Sequence, residues 1–144
     1  MKHRLLEETE GRRKFVLVGA GGEEAVAAIR DFAVAQSIGN ASLTGIGAFS
    51  RASLGWFNPV TSEFRQNEIE EQVELLSMIG NLALEDGAPK LHLHVVLGRG
   101  DATTRGGHLV AGWIRPTLEV VLTEAPGHLT RAHDPASGLV LLQP

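Results

Sequence analysis

Residues 91–97 read Leu-His-Leu-His-Val-Val-Leu. The alternation predicts a β-strand whose successive side chains project to opposite faces. One face is fully aliphatic and should lie in the core: Leu91, Leu93, Val95 and Leu97. The other face carries His92, His94 and Val96. Because the aliphatic face fixes the strand against the core, the two histidines should be held side by side, roughly 7 Å apart at the backbone.

The segments on either side of this strand predict the fold class. Residues 14–18 read as a strand that ends in the glycine-rich turn 19–22, and a helix over about 23–37 follows, with its apolar side chains on one stripe. Further predicted strands cover 41–49, 52–57, part of 63–76, 117–123 and 139–142, and Arg115-Pro116 is read as a turn. One helix among many short strands predicts an α+β fold, with the helix packed on a largely antiparallel sheet.

Length and composition predict one globular domain over residues 1–144. Hydrophobic residues make up 43% and charged residues 21% of the chain, and no apolar run is long enough to span a membrane. Residues 1–10 lack the apolar centre of a signal peptide, and there is no cysteine. We therefore expect a cytoplasmic protein without disulfides or thiolate metal ligands, and no association with a membrane.

The net charge of −4 argues against tight nucleic-acid binding by this chain alone. The basic cluster at 12–14 follows an acidic stretch and is most simply a solvated strand entry. The turn at 19–22 invites a dinucleotide-binding interpretation, but Glu24 stands where the fingerprint needs its third glycine. A tight turn from strand to helix is the better interpretation.

A third histidine, His108, follows Gly106-Gly107, fourteen residues after His94. If the next strand returns it to His92 and His94, three imidazoles could hold a tetrahedral ion with one open position, as in catalytic zinc sites. The alternatives are ordinary core or surface histidines, with the glycines serving only as a turn or bulge. The other histidines, His3, His128 and His133, are expected to be exposed.

Glu74 is the candidate for acid–base chemistry. It lies in a strand-like run, 71–78, that becomes apolar. Its carboxylate either faces solvent or points into the histidine pocket, where it could act as general base on a metal-bound water. Arg105, Arg115 and Glu119 are weaker polar candidates.

Several segments, in this order, resemble the plant and prokaryote conserved (PPC, or PCC) domain family. The resemblance spans about 14–123. It rests on Ile46-Gly-Ala-Phe-Ser50, Ala52-Ser-Leu-Gly-Trp-Phe57, Glu74-Leu-Leu-Ser-Met-Ile-Gly-Asn81, Leu91-His-Leu-His-Val-Val-Leu-Gly98, Gly106-Gly-His-Leu109 and Pro116-Thr-Leu-Glu-Val-Val-Leu122.

The resemblance implies an α/β fold with a curved, mainly antiparallel sheet, a homotrimer, and a zinc-like ion at His92, His94 and His108. Plant members of the family carry an AT-hook that grips DNA, but this sequence has no Arg-Gly-Arg-Pro hook, and Gln72 stands where the plant motif has arginine. The fold is also similar to that of acetolactate decarboxylase and related metal-dependent hydrolases, a likeness that names no reaction.

Two functions follow as hypotheses. The first is a homotrimeric, metal-stabilised module for assembly or regulation, which could reach DNA through a partner, in a family usually labelled DNA-binding. The second is a metal-dependent lyase or hydrolase of a small oxygen-rich metabolite, with Glu74 moving a proton. The sequence does not separate zinc from nickel, iron or manganese, because imidazole suits all of these ions.

Overall fold

The structure is a computed structural model that describes residues 1–125 and 129–143. Most of these residues lie in strands. Those residues form nine strands and one helix. The elements are β1 (Lys2–Thr9), β2 (Arg12–Ala20), α1 (Ala25–Ala35), β3 (Ala41–Asn58), β4 (Glu63–Ile69), β5 (Val73–Glu85), β6 (Ala88–Gly98), β7 (Thr104–Glu124), β8 (Thr130–His133) and β9 (Val140–Gln143).

The predicted α+β class is wrong, as is the α/β fold that the resemblance implied, because strands make up 69% and helix only 8% of a mostly β structure. The prediction missed charged strands that have no apolar alternation. β1 is exposed along its whole length and pairs with β2 through a turn at Glu10 and Gly11, which both have positive φ. Such a turn matches the twist of a β-hairpin, so the hairpin forms without a buried face on β1.

The strands form a mixed sheet in which the order β1-β2-β7-β3-β5-β8-β9 forms the main path. All pairings between named strands are antiparallel except that of β5 with β8. β4 pairs with β3, and β6 pairs with both β5 and β7. β3, β5, β6 and β7 therefore form a closed circuit of pairings. The circuit brings β6 beside the first part of β7.

β7 is longer than predicted, because it continues through Arg115-Pro116, where the sequence suggests a turn. Its pairing with β3 shifts register between Gly47 and Phe49, opposite this dipeptide. Proline cannot donate a ladder hydrogen bond and is tolerated at such an irregularity. The strand therefore bends there without ending.

The strand predicted over 91–97 is confirmed within β6. Leu93, Val95 and Leu97 are buried in the core, whereas His92, His94 and Val96 are exposed on the other face. The helix begins later and ends earlier than predicted. Glu24 caps it by accepting hydrogen bonds from the backbone N–H of Val26 (2.9 Å) and Ala27 (2.7 Å). With eleven residues, it is too short to cross a membrane, and the described residues contain no other helix.

Candidate metal centre

The hairpin of β6 and β7 brings the three predicted histidines together. Its turn is closed by hydrogen bonds from Arg99 N to Thr103 O (2.9 Å) and from Ala102 N to Arg99 O (3.0 Å). This turn fixes the register that puts His94 directly opposite His108. Gly106 and Gly107 thus lie within β7 and do not form the turn.

The imidazoles of His92, His94 and His108 form one cluster. Their ring centroids are 5.0 Å apart for His92 and His94, 5.2 Å for His92 and His108, and 5.8 Å for His94 and His108. One nitrogen from each ring can be chosen so that all three atoms lie within 4.8 Å of one another. The Nε2 atoms of His92 and His94 are 3.1 Å apart.

The surroundings of His92 and His108 favour neutral imidazoles. The pKa of His108, which is half-buried, is lowered to about 4, first by burial and then by charge on His92 and His94. Burial also lowers the pKa of His92, with further contributions from the positive charges of Arg131 and His94. A neutral imidazole keeps a lone pair on one nitrogen, which is the form that binds a metal.

The donor set fits a divalent transition metal. Imidazole nitrogens bind zinc at about 2.0–2.1 Å, so two nitrogens on one tetrahedral ion lie roughly 3.3 Å apart. The His92–His94 separation of 3.1 Å is already near that value. A change in the side-chain conformation of His108 would bring its imidazole nitrogen within bonding distance of the same ion. Three imidazoles leave one position of a tetrahedral ion open.

The cluster lies in the wall of a cavity of about 610 Å³. β3 and β4 supply aromatic walls, and residues just before and within β9 supply aliphatic ones. The apolar side chains lining it are Trp56, Phe57, Phe64, Leu91, Leu139, Val140 and Leu141. The Phe64 ring meets the His108 ring edge-on, with centroids 6.2 Å apart. An ion on the histidines would therefore face a cavity large enough for a small organic molecule.

Three charged residues of the cavity were missed by the sequence analysis: Glu85, Lys90 and Arg131. Glu85 and Lys90 form an ion pair with a 3.3 Å separation. Arg131 is buried, and its Nη2 donates to Asn81 Oδ1. The sequence signal was weak because β8 is a four-residue strand without apolar alternation, and its pairing with β5 spans more than forty residues.

Glu74 is not brought to this cavity. It is exposed on β5 and pairs with Gly98, at the far end of the strand pair from Asn81, which lies opposite His92. The residues lining the cavity do not include it. They do not include Arg105, Arg115 or Glu119 either. His3 and His133 are exposed as predicted, whereas His128 lies outside the described residues.

Comparison with protein families gives one match. Residues 6–126 match the model of the Plants and Prokaryotes Conserved (PCC) domain, which extends the resemblance found over 14–123. No protein with a curated description matches the sequence.

Several solved structures similar to this chain come from bacteria and archaea. A Bacteroides thetaiotaomicron protein with a provisional DNA-binding label is 26% identical, with a TM-score of 0.87 and coverage of 98% of this chain and 96% of that one. A Pyrococcus horikoshii PPC protein is 29% identical, with a TM-score of 0.86 and coverage of 99% and 95%. A protein from Archaeoglobus fulgidus described as metal-containing is 29% identical, with a TM-score of 0.87 and coverage of 99% and 97%.

A more distant match bears on the fold alone. A Staphylococcus aureus protein described as similar to alpha-acetolactate decarboxylase is 11% identical, with a TM-score of 0.55 and coverage of 80% of this chain and 53% of that one. The similarity of fold expected from the sequence is therefore found, and it carries no information about a reaction.

Proposed function

Because this chain belongs to the Plants and Prokaryotes Conserved (PCC) domain family, we propose that it is a single-domain, homotrimeric metal-binding protein of the cytoplasm. In this proposal His92, His94 and His108 hold a zinc-like divalent ion, and the ion faces a cavity that admits a small ligand.

The observation that carries the proposal is the convergence of three imidazoles on the wall of one cavity. The lowered pKa values of His92 and His108 favour the neutral form that a metal requires. The Archaeoglobus fulgidus relative, described as metal-containing, supports the same chemistry. Imidazole donors suit zinc, nickel, iron and manganese, and we favour zinc because three such ligands form its common open site.

When bound, the ion would supply a Lewis acid that polarises an oxygen atom of a ligand. The chain's own residues position the histidines and line the cavity. The β6–β7 register holds His94 opposite His108, and Phe64 covers one side of His108. Apolar side chains of β3, β4 and the segment at β9 line the cavity beyond the histidines.

Self-association is supported by an apolar surface on the sheet. Ile46, Leu76 and Ile79 are exposed and line one groove of about 400 Å³, and Val96 is exposed on the same face. A contiguous apolar face on a water-soluble domain marks an interaction site. The resemblance to a trimeric family makes two further copies of this chain the proposed partners.

Metal-dependent stabilisation tests the proposed site. A ligand that binds only the folded state raises the free energy of unfolding, and the melting temperature therefore rises with metal concentration. Zn²⁺ added to tag-free, metal-stripped protein should raise the melting temperature of the wild type. The His92→Ala and His94→Ala variants should lose that rise. His133→Ala, which removes an exposed histidine outside the cluster, should keep it. An equal rise in His94→Ala would refute the site.

DNA binding is the weaker candidate for this chain. The Bacteroides thetaiotaomicron relative carries a provisional DNA-binding label, but the present chain has a net charge of −4. Binding to the phosphate backbone depends on cationic side chains and is strongest at low salt. We expect no retention of duplex DNA in a gel-shift experiment at 50 mM salt or below. Retention of duplex DNA at that salt concentration would support DNA binding by this chain.

A metal-dependent lyase or hydrolase is the second candidate function, and the cavity beside the histidines favours it. A general-base role for Glu74 stays a prediction. Within the described residues, the carboxylate that lines the cavity is that of Glu85, which is held by Lys90. If this candidate is correct, Glu85→Gln should lower turnover in a screen of small carbonyl compounds without loss of bound metal.

A further inference from the structure

Arg131 is a buried cation with an incomplete set of partners. The residue is 8% exposed, and burial lowers the pKa of its guanidinium. Its Nη2 donates to Asn81 Oδ1, while its Nε, shielded from solvent, has no hydrogen-bond partner among residues 1–125 and 129–143. A buried charge is costly unless it is paired and hydrogen-bonded. The arginine therefore has no ion-pair partner within the described structure.

The neighbouring carboxylate does not complete the pair. Glu85 lies opposite Arg131 in the β5–β8 register, and its charge acts favourably on the guanidinium. However, the Glu85 carboxylate is engaged by Lys90 at 3.3 Å, and no ion pair among the described residues includes Arg131. The negative charge of Glu85 and the positive charge of Lys90 offset each other. The cavity thus has a net positive charge from Arg131 even before a metal is bound.

The guanidinium lies near the histidine cluster. Asn81, which accepts its hydrogen bond, is the residue paired with His92 across β5 and β6. The charge of Arg131 also lowers the pKa values of His92 and His108. A divalent ion on the histidines would put two positive centres in one cavity. A negatively charged ligand would offset the positive charge of both the guanidinium and the ion.

We propose that this cavity binds a small organic anion, with a carboxylate on Arg131 and a second oxygen donor directed at the ion's open position. The proposal rests on the proposed metal site and adds the chemical class of the ligand. A planar guanidinium binds carboxylates through paired hydrogen bonds, and the aromatic and aliphatic walls favour a carbon skeleton over an inorganic anion.

A cobalt-loaded protein makes the test direct, because Co²⁺ at the histidines has a visible absorption spectrum that changes with its ligands. L-malate is the probe, titrated at constant ionic strength with free Co²⁺ present to keep the site loaded. Malamide and inorganic phosphate are the comparison ligands. The variants are Arg131→Met, Arg131→Lys and Arg105→Met, the last removing an exposed arginine of β7 that does not line the cavity.

We expect wild-type protein and Arg105→Met to bind Co²⁺ and to show saturable spectral changes with L-malate, with weak or no response to malamide and phosphate. Arg131→Met should retain Co²⁺ and lose affinity for L-malate by about tenfold or more. Arg131→Lys, which keeps the charge but loses the planar donor pair, should be intermediate. Equal L-malate affinity in wild type and both Arg131 variants, or no L-malate response in loaded wild type, would overturn the proposal. Failure to bind Co²⁺ at all would instead overturn the metal site on which it rests.

Discussion

The ring of Phe64 lies across Gly55, in the space that a Cβ atom on residue 55 would occupy. Gly55 is paired with His108 across β3 and β7, and the Phe64 ring meets the His108 imidazole edge-on. The absence of a side chain at residue 55 therefore lets an aromatic ring cover one side of a proposed metal ligand.

Gly55→Ala should displace Phe64 and loosen His108. We expect the free energy of unfolding to fall by about 1–3 kcal/mol, the usual cost of an overpacked site. Metal affinity should fall by about tenfold, as for loss of a contact that orients a ligand. Chemical denaturation and competition with a chromophoric chelator measure the two effects. Gly100→Ala is the matched control, because a Cβ there would meet no atom within 4 Å. Equal effects in both variants would refute this role of Gly55.

A carboxylate and an arginine far apart in sequence tie β2 to β7. Glu124 Oε2 accepts hydrogen bonds from the backbone N–H (2.7 Å) and Nε (2.8 Å) of Arg13, while Oε1 accepts one from Nη2 (2.7 Å). Nη2 also donates to the backbone carbonyl of Gln36, just after the helix (2.9 Å). Glu124→Gln replaces one acceptor with a donor and should cost about 1–3 kcal/mol of stability at pH 7.

The cost of Glu124→Gln should depend on pH. Hydrogen bonding from Arg13 holds the pKa of Glu124 below 4.5 in the folded state, so the unfolded state binds more protons as the solution is acidified. The stabilisation is complete above pH 4.5 and is lost as pH falls through the lowered pKa. Denaturation curves between pH 3 and pH 7 should therefore converge for wild type and variant at the acidic end. Glu10→Gln, in an exposed pair with Arg12, should change stability little throughout. Curves that stay parallel at all pH values would contradict this account.

The proposed trimer depends on the apolar face lined by Ile46, Leu76 and Ile79. Sedimentation analysis should give wild-type protein about three times the 15.4 kDa mass of the chain. Ile79→Glu would bury a charge in the contact and should shift the protein towards monomer. Val60→Glu, at an 89% exposed site in the turn between β3 and β4, should leave the mass unchanged. A monomeric wild type, or a trimeric Ile79→Glu, would exclude this interface.

The strand that carries His92 and His94 was predictable, because the alternation of side chains over 91–97 indicates both a strand and its buried face. The position of His108 beside it also followed once β7 was taken as the next strand. The fold class was not predictable from alternation, because β1 is exposed along its whole length and pairs through backbone groups. Arg131 was missed for a related reason. Its burial depends on the parallel pairing of β8 with β5, a long-range contact that no local pattern indicates.

Elemental analysis of protein purified without a histidine tag measures whether the three histidines hold a metal, with His94→Ala and His133→Ala prepared in parallel. We expect about one transition-metal ion per chain in wild type and His133→Ala, and a large loss of metal in folded His94→Ala. Metal-free wild type after supplementation with zinc, or undiminished metal in His94→Ala, would rule out a metal site at these histidines.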